Sequence, residues 1–256
     1  MSALNELFQK KSRNVLNVYC TAGFPDFEST IHIMEALQDS GADIIELGMP
    51  YSDPLADGEV IQESSSKALK NGMSIEKLFE QLEHMKKRIR IPVILMGYMN
   101  PVLQYGFEKF CADAARVGIS GLILPDLPEI EFEREYGKII QKHGLDFIFL
   151  VTPETSEQRV KRLDQLSSGF LYAVSSSSTT GKDSKMENLE TYIRKLLSYG
   201  LKNPVLIGFG IKDKSSFNAA CQFANGAIIG TAFIKALSQS EDVKKTTATF
   251  IKSILD

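Results

Sequence analysis

The chain has 256 residues, of which 43% are hydrophobic and 24% charged, and a formal net charge of -3. A globular chain of this size buries its own core without staples, and its charge gives no basic field for nucleic acid or an anionic membrane surface. No run approaches the ~18 apolar residues of a membrane span, and the N-terminal MSALNELFQKKSRN has no apolar secretory core, so the expected location is cytoplasmic.

In chain order, a first helix is expected over residues 3–12, followed by a strand in NVYCTA (17–22). FESTIHIMEALQDSG (27–41) has helical spacing and ends at Gly41, a C-cap type residue. DIIELG (43–48) reads as the second strand, and a long polar loop then leads to a helix near residues 58–70. SIEKLFEQLEHMKKR (74–88) is the next amphipathic helix, with Ile75, Leu78, Phe79 and Leu82 on one stripe. The alternation continues with strands PVILMGY (92–98), GLILPD (121–126) and DFIFLV (146–151), separated by helices FEKFCADAARVG (107–118) and FEREYGKIIQKHG (132–144). Helix SEQRVKRLDQL (156–166), strand FLYAVS (170–175), helix MENLETYIRKLLSYG (186–200) and strand PVLIGFG (204–210) follow. KSSFNAACQFANG (214–226) and GAIIGT (226–231) form the last helix–strand step, and a terminal helix is expected over 240–254.

Most of these strands lack polar alternation, as parallel strands covered on both faces do. Eight evenly spaced strand–helix units with short links predict an α/β fold. It is a single (β/α)8 TIM barrel over residues 1–256 with extra terminal helices. An open doubly wound sheet is the alternative. The cysteines Cys20, Cys111 and Cys221 and the histidines His32, His84 and His143 are scattered, which predicts reduced thiols, no metal site and no histidine-centred triad.

In such a barrel, chemistry sits at the C-terminal ends of the strands. Glu46 lies inside the apolar second strand, and the loop after it, Leu47 to Gly58, carries Asp53 and Asp57. A carboxyl group in a barrel mouth is desolvated, its pKa rises, and it can then act as acid and base near neutral pH. Structural readings stand beside this one: Glu46 paired with a buried cation, Asp57 capping the next helix, Asp53 forming a turn. Gly208-Phe209-Gly210 ends the seventh strand and Gly230-Thr231 the eighth, the usual place of a phosphate site in these barrels, although such glycines also simply shape turns. The hydroxyl-rich tract Ser175 to Asp183 is either a plain surface loop or a lid, with Thr180 able to bond a catalytic carboxylate and Gly181 able to donate to phosphate. Tyr19, Tyr98, Tyr172 and Phe209 are core residues or walls for a flat apolar substrate. The residues alone thus suggest acid–base chemistry on a phosphorylated, partly apolar small molecule.

The segment Glu46-Leu47-Gly48-Met49-Pro50-Tyr51-Ser52-Asp53-Pro54-Leu55-Ala56-Asp57-Gly58 closely resembles the signature of the tryptophan synthase alpha subunit family. The resemblance continues in order through Tyr98-Met99-Asn100-Pro101, Leu124-Pro125-Asp126-Leu127-Pro128, Tyr172-Ala173-Val174-Ser175, Gly208-Phe209-Gly210-Ile211 and Gly230-Thr231-Ala232. It implies retro-aldol cleavage of indole-3-glycerol phosphate to indole and glyceraldehyde 3-phosphate. By resemblance, Glu46 is the acid–base residue and Asp57 the second catalytic carboxylate. Tyr19, Tyr98, Tyr172 and Phe209 surround indole and glycerol, Gly181, Gly210, Gly230 and Thr231 contact phosphate, and Thr180 orders Asp57. The resemblance further implies a pyridoxal-phosphate beta subunit as partner in an αββα assembly, with Asp53, Pro54 and Asp126-Leu127-Pro128 near the contact and no cofactor in this chain.

The sequence departs from the family pattern at Glu59, where proline is common, and at Ser178 and Thr179, which replace a common Gly-Val. A standalone lyase releasing free indole, a non-catalytic activating subunit and another phosphate-binding barrel enzyme are the alternatives.

Overall fold

The computed structural model describes residues 1–174, 182–208 and 210–256. Its centre is one parallel sheet. The strands are β1 (Val15–Thr21), β2 (Ile44–Gly48), β3 (Val93–Met96), β4 (Gly121–Ile123), β5 (Asp146–Phe147), β6 (Leu150–Val151), β7 (Leu171–Val174), β8 (Val205–Gly208) and β9 (Gly226–Ile229), paired in the order β5-β4-β3-β2-β1-β9-β8-β7-β6.

Nine strands stand among the described residues where eight were expected, because the run 146–151 is divided. Its first half pairs with β4 and its second half with β7. Between the halves, the Ile148 N–H donates to the Leu122 carbonyl at 3.0 Å, and the Phe149 carbonyl accepts the Tyr172 N–H at 3.1 Å. One segment therefore bonds to both ends of the sheet, and the ring closes through it.

Closure creates two cores. Strand side chains facing outward, among them Leu47, Leu95 and Ile207, pack against helix side chains such as Phe110. A smaller set faces inward: Val15, Ile44, Ile94, Ile123, Ile148, Tyr172, Leu206 and Ile228. The inner set also contains Leu4 and Phe8 of the first helix, α1 (Ala3–Lys10), and Phe8 stacks on Phe170, which immediately precedes β7. The N-terminal helix is thus a plug for the end of the barrel opposite the strand C-termini.

The helices follow the expected pattern apart from the short helix Glu129–Glu131, which the sequence did not single out, and three further differences. The run 74–88 is two helices, α4 (Ile75–Gln81) and α5 (Met85–Arg88), and the break keeps Leu82, Met85 and Ile89 buried. A further helix, α6 (Met99–Tyr105), starts directly after Tyr98, and Pro101 is tolerated there because the first turn needs no N–H from it. The run 132–144 opens with a wide π-type turn, Phe132–Tyr136. Elsewhere the outer layer is α2 (Ser29–Asp39), α3 (Glu59–Lys70), α7 (Phe107–Val117), α8 (Glu129–Glu131), α9 (Gly137–Lys142), α10 (Glu157–Leu166), α11 (Lys182–Leu197), α12 (Lys214–Phe223), α13 (Thr231–Ser238) and α14 (Val243–Leu255). Gly41, Gly118, Gly144 and Gly200 all take positive φ at helix ends, as anticipated.

Leu4 is fully buried in the inner core, so Leu4→Ala leaves a void beneath the barrel. The expected loss is about 2–5 kcal/mol of unfolding free energy in urea denaturation, with substrate KM unchanged because the plug lies at the other end of the ring.

Candidate active site

The parallel register sets Tyr19 of β1 beside Glu46 of β2, and Glu46 beside Ile94 of β3. Ile94 faces the interior of the ring, so Glu46 does too. The Glu46 carboxyl group is 1% exposed, and its Oε2 accepts a hydrogen bond from Asn17 Nδ2 at 2.7 Å. Burial is the main cause that raises its pKa, the Asn17 bond opposes it, and the Asp57 charge adds to it. The result is about 8.

Asp57 arrives on the loop between β2 and α3. Tyr98 anchors that loop: its hydroxyl accepts the Ala56 N–H at 3.1 Å and hydrogen-bonds the Asp57 carboxylate. Tyr51 stacks on Tyr98 with ring centroids 5.5 Å apart and accepts a bond from Asn100 at 2.9 Å, which ties the loop to α6. The N-cap of α3 is Gly58, and no side chain caps that helix, so Asp57 is not used as a cap. Burial raises the Asp57 pKa and the Tyr98 bond lowers it, to a value of about 6. Asp53 is exposed; it bonds Ser52, and its carbonyl accepts the Leu55 N–H at 3.0 Å, which is a turn. Glu59 is exposed in the first turn of α3, where an acidic side chain suits the helix dipole.

Glu46 and Asp57 line one cavity of about 500 Å³ together with Tyr19, Tyr172, Gly210, Gly230 and Thr231. The two tyrosine rings fit because glycines stand opposite them. A Cβ on Gly48 would overlap the Tyr19 hydroxyl, and one on Gly208 would overlap the Tyr172 ring. Gly210 has φ +79 with open space around it, so backbone conformation is what requires glycine there. Gly230 is the N-cap of α13, again with no side-chain cap, so no capping side chain takes the first N–H groups of that helix. Tyr98 acts through Asp57 and is not among the described lining residues. Thr180, Gly181 and Phe209, like Ser178 and Thr179, lie outside the described residues.

Two cations on the same cavity wall were missed in the sequence: Lys212 and Lys235. Lys235 follows Thr231 by one helical turn on α13, a spacing that could have flagged it. Met96, Ile61 and Ile228 supply apolar wall. The cavity lining therefore combines two carboxyl groups, apolar side chains, glycines at two strand ends and two lysines. Among the described residues there is no cluster of His, Cys, Asp and Glu able to hold a metal ion, and no helix is long and apolar enough to cross a membrane.

A buried carboxyl group that titrates high destabilises the folded state once it ionises. The native state holds the Glu46 proton between its ordinary value of 4.5 and about 8, while the unfolded chain has released it. Stability from this group is therefore present at low pH and lost as pH rises through that window. Glu46→Gln removes the penalty. Its stability advantage over the parent is expected to grow from pH 5 to pH 8 by on the order of 2–4 kcal/mol, read as the difference in urea unfolding free energy at the two pH values.

The comparisons with known proteins point to one family. The family described as "Tryptophan synthase alpha chain" matches residues 5–254. A tryptophan synthase alpha chain of Flavobacterium psychrophilum is 48% identical over 94% of this chain and 95% of its own length. That of Karelsulcia muelleri is 49% identical over 100% of both chains. Among solved structures, tryptophan synthase subunit alpha from Legionella pneumophila superposes with a TM-score of 0.91 at 33% identity, over 99% of this chain and 97% of that one. With the family matched over nearly its whole length and the carboxylate pair in place, this chain belongs to the tryptophan synthase alpha chain family.

Proposed function

We propose that Glu46 and Asp57 carry out this enzyme's lyase reaction, the cleavage of indole-3-glycerol phosphate to indole and glyceraldehyde 3-phosphate. The observation that carries the assignment is that two carboxyl groups on one cavity have pKa values of about 8 and about 6. At neutral pH, Glu46 holds its proton and Asp57 has lost its own, a separation of acid and anion roles between two like groups. Glu46 delivers its proton to indole C3. The ring becomes cationic, and Asp57 stabilises that charge through the ring N–H. The Glu46 carboxylate then takes the proton of the glycerol hydroxyl next to the breaking bond. The C–C electron pair returns to the ring, the alcohol becomes the aldehyde, and Glu46 is protonated again.

Tyr19 and Tyr172 flank the indole, burial keeping both hydroxyls neutral far above pH 7. Thr180 and Phe209 complete the pocket by resemblance. Phosphate sits on Gly210, Gly230, Thr231 and Gly181, with the first turn of α13 as donor. Lys212 and Lys235 add charge to that edge.

The family implies a beta-subunit partner. We read the assembly as αββα, with indole passing to a pyridoxal-phosphate beta subunit in the cytoplasm, and residues 1–256 as one barrel domain. The exposed apolar residues Leu55 (94%) and Ile130 (60%) support a docking face. They lie on the segments around Asp53-Pro54 and Asp126-Leu127-Pro128, both tied to α6: Asp126 accepts the Met99 N–H at 3.0 Å, and Asn100 bonds Tyr51.

Turnover of indole-3-glycerol phosphate with and without the cognate beta chain tests the reading. Glyceraldehyde 3-phosphate release should be weak alone and rise greatly with the partner, and Glu46→Gln should abolish it while the fold survives. Full activity in that variant would remove Glu46 from the mechanism, and strong release of free indole without the partner would favour a standalone lyase. The parent kcat/KM should rise with pH through about 6 as Asp57 ionises and fall through about 8 as Glu46 loses its proton. Lys235→Gln should raise KM about tenfold and leave kcat within about twofold, since a uniform binding contact is lost.

A further inference from the structure

We infer that Asn17 is a positioning residue for the reaction: its side-chain amide fixes Glu46 Oε2 and leaves the other carboxyl oxygen as the one that carries the proton to substrate. The inference rests on the reading of Glu46 as proton carrier.

Asn17 is fully buried on β1. In the strand registers its neighbours are Ile44 of β2 and Ile228 of β9, both members of the inner core. That layer is aliphatic, and branched side chains are what usually fill it. A polar residue in this place costs desolvation, and a packing role would favour valine or isoleucine.

The amide recovers little of that cost. Its Oδ1 is buried without a hydrogen-bond partner, while its Nδ2 donates to Glu46 Oε2 at 2.7 Å. An amide that satisfies one end only, and that end on a carboxylate, is present for its donor. The consequence is geometric. A donor on Oε2 competes with a proton at that atom, so protonated Glu46 carries its hydrogen on Oε1. Glu46 lines the cavity, and Asn17 is its hydrogen-bond partner among the described residues. Oε1 is therefore the atom offered to substrate. The amide also prevents the carboxyl group from rotating, which would turn the acidic oxygen away from indole C3. Finally, the bond offsets part of the burial that pushes the carboxyl group upward, so the group still releases its proton close to neutral pH.

The test is Asn17→Val, which suits a strand and the aliphatic layer, with Asn17→Ala as a second variant if valine does not fold. Difference infrared titration of the carboxyl band, each variant against its own Glu46→Gln double, reads the Glu46 pKa in the full chain without any turnover. The pKa should move up by about one unit, the loss of a charge-assisted hydrogen bond. In the complex with the beta chain, kcat should fall about tenfold or more, KM should change less than about twofold, and the high-pH limb of kcat/KM should shift upward with the titration. An unchanged Glu46 titration, or a lower kcat with an unmoved pH profile, would overturn the inference and leave the role of Glu46 standing. A fully active Glu46→Gln would instead remove the reading on which it rests.

Discussion

A closed ring of parallel strands has an interior face that every second residue must fill. In this protein the constraint decides both stability and chemistry. The registers Tyr19 with Glu46 and Asn17 with Ile44 put a carboxyl group and an amide inside a lining that is largely aliphatic and aromatic. Glu46 is almost fully buried where it meets the cavity, and this burial is the main cause that pushes its pKa up to about 8. The same closure depends on the divided segment 146–151, which bonds to β4 on one side and β7 on the other.

The second carboxyl group is handled differently. Asp57 hangs on a loop, only partly sheltered, and the Tyr98 hydroxyl supports its ionised form. Two chemically similar groups therefore differ in protonation because one is sealed in a strand and the other is held at a rim. The loop itself is stiff where it matters, since Tyr51 and Tyr98 join it to the start of α6 and Asp126 bonds the same helix start. Residues around the candidate partner face are in this way connected through α6 to the loop that carries Asp57.

Much of the site was readable in advance. Glu46 was conspicuous because an acid interrupts an apolar run, and Gly210 and Gly230-Thr231 because glycines fall at two successive strand ends. Other features had no comparable signal. Lys235 carries only the weak signal of standing one helical turn after Thr231, and α13 is what turns it onto the cavity wall. Asn17 reads as an ordinary strand start, because a single buried amide has no periodicity to betray it. The split of 74–88 and the extra helix at Met99–Tyr105 were hidden for a related reason: local spacing fits several helix lengths, and packing selects among them.

The sequence by itself determined the alternation of strands and helices, the C-terminal glycines of the helices, and the presence of the carboxylates Glu46, Asp53 and Asp57 on the second strand and its loop. Those properties are local: they follow from side-chain period, backbone freedom and residue type over a few positions. Tertiary structure alone decided that Asn17 meets Glu46, that Tyr98 supports Asp57, and that Lys212 and Lys235 face the same space as Gly230. Asn17 and Glu46 are 29 positions apart and Tyr98 and Asp57 are 41 apart, and only strand register and loop packing bring them within bonding distance.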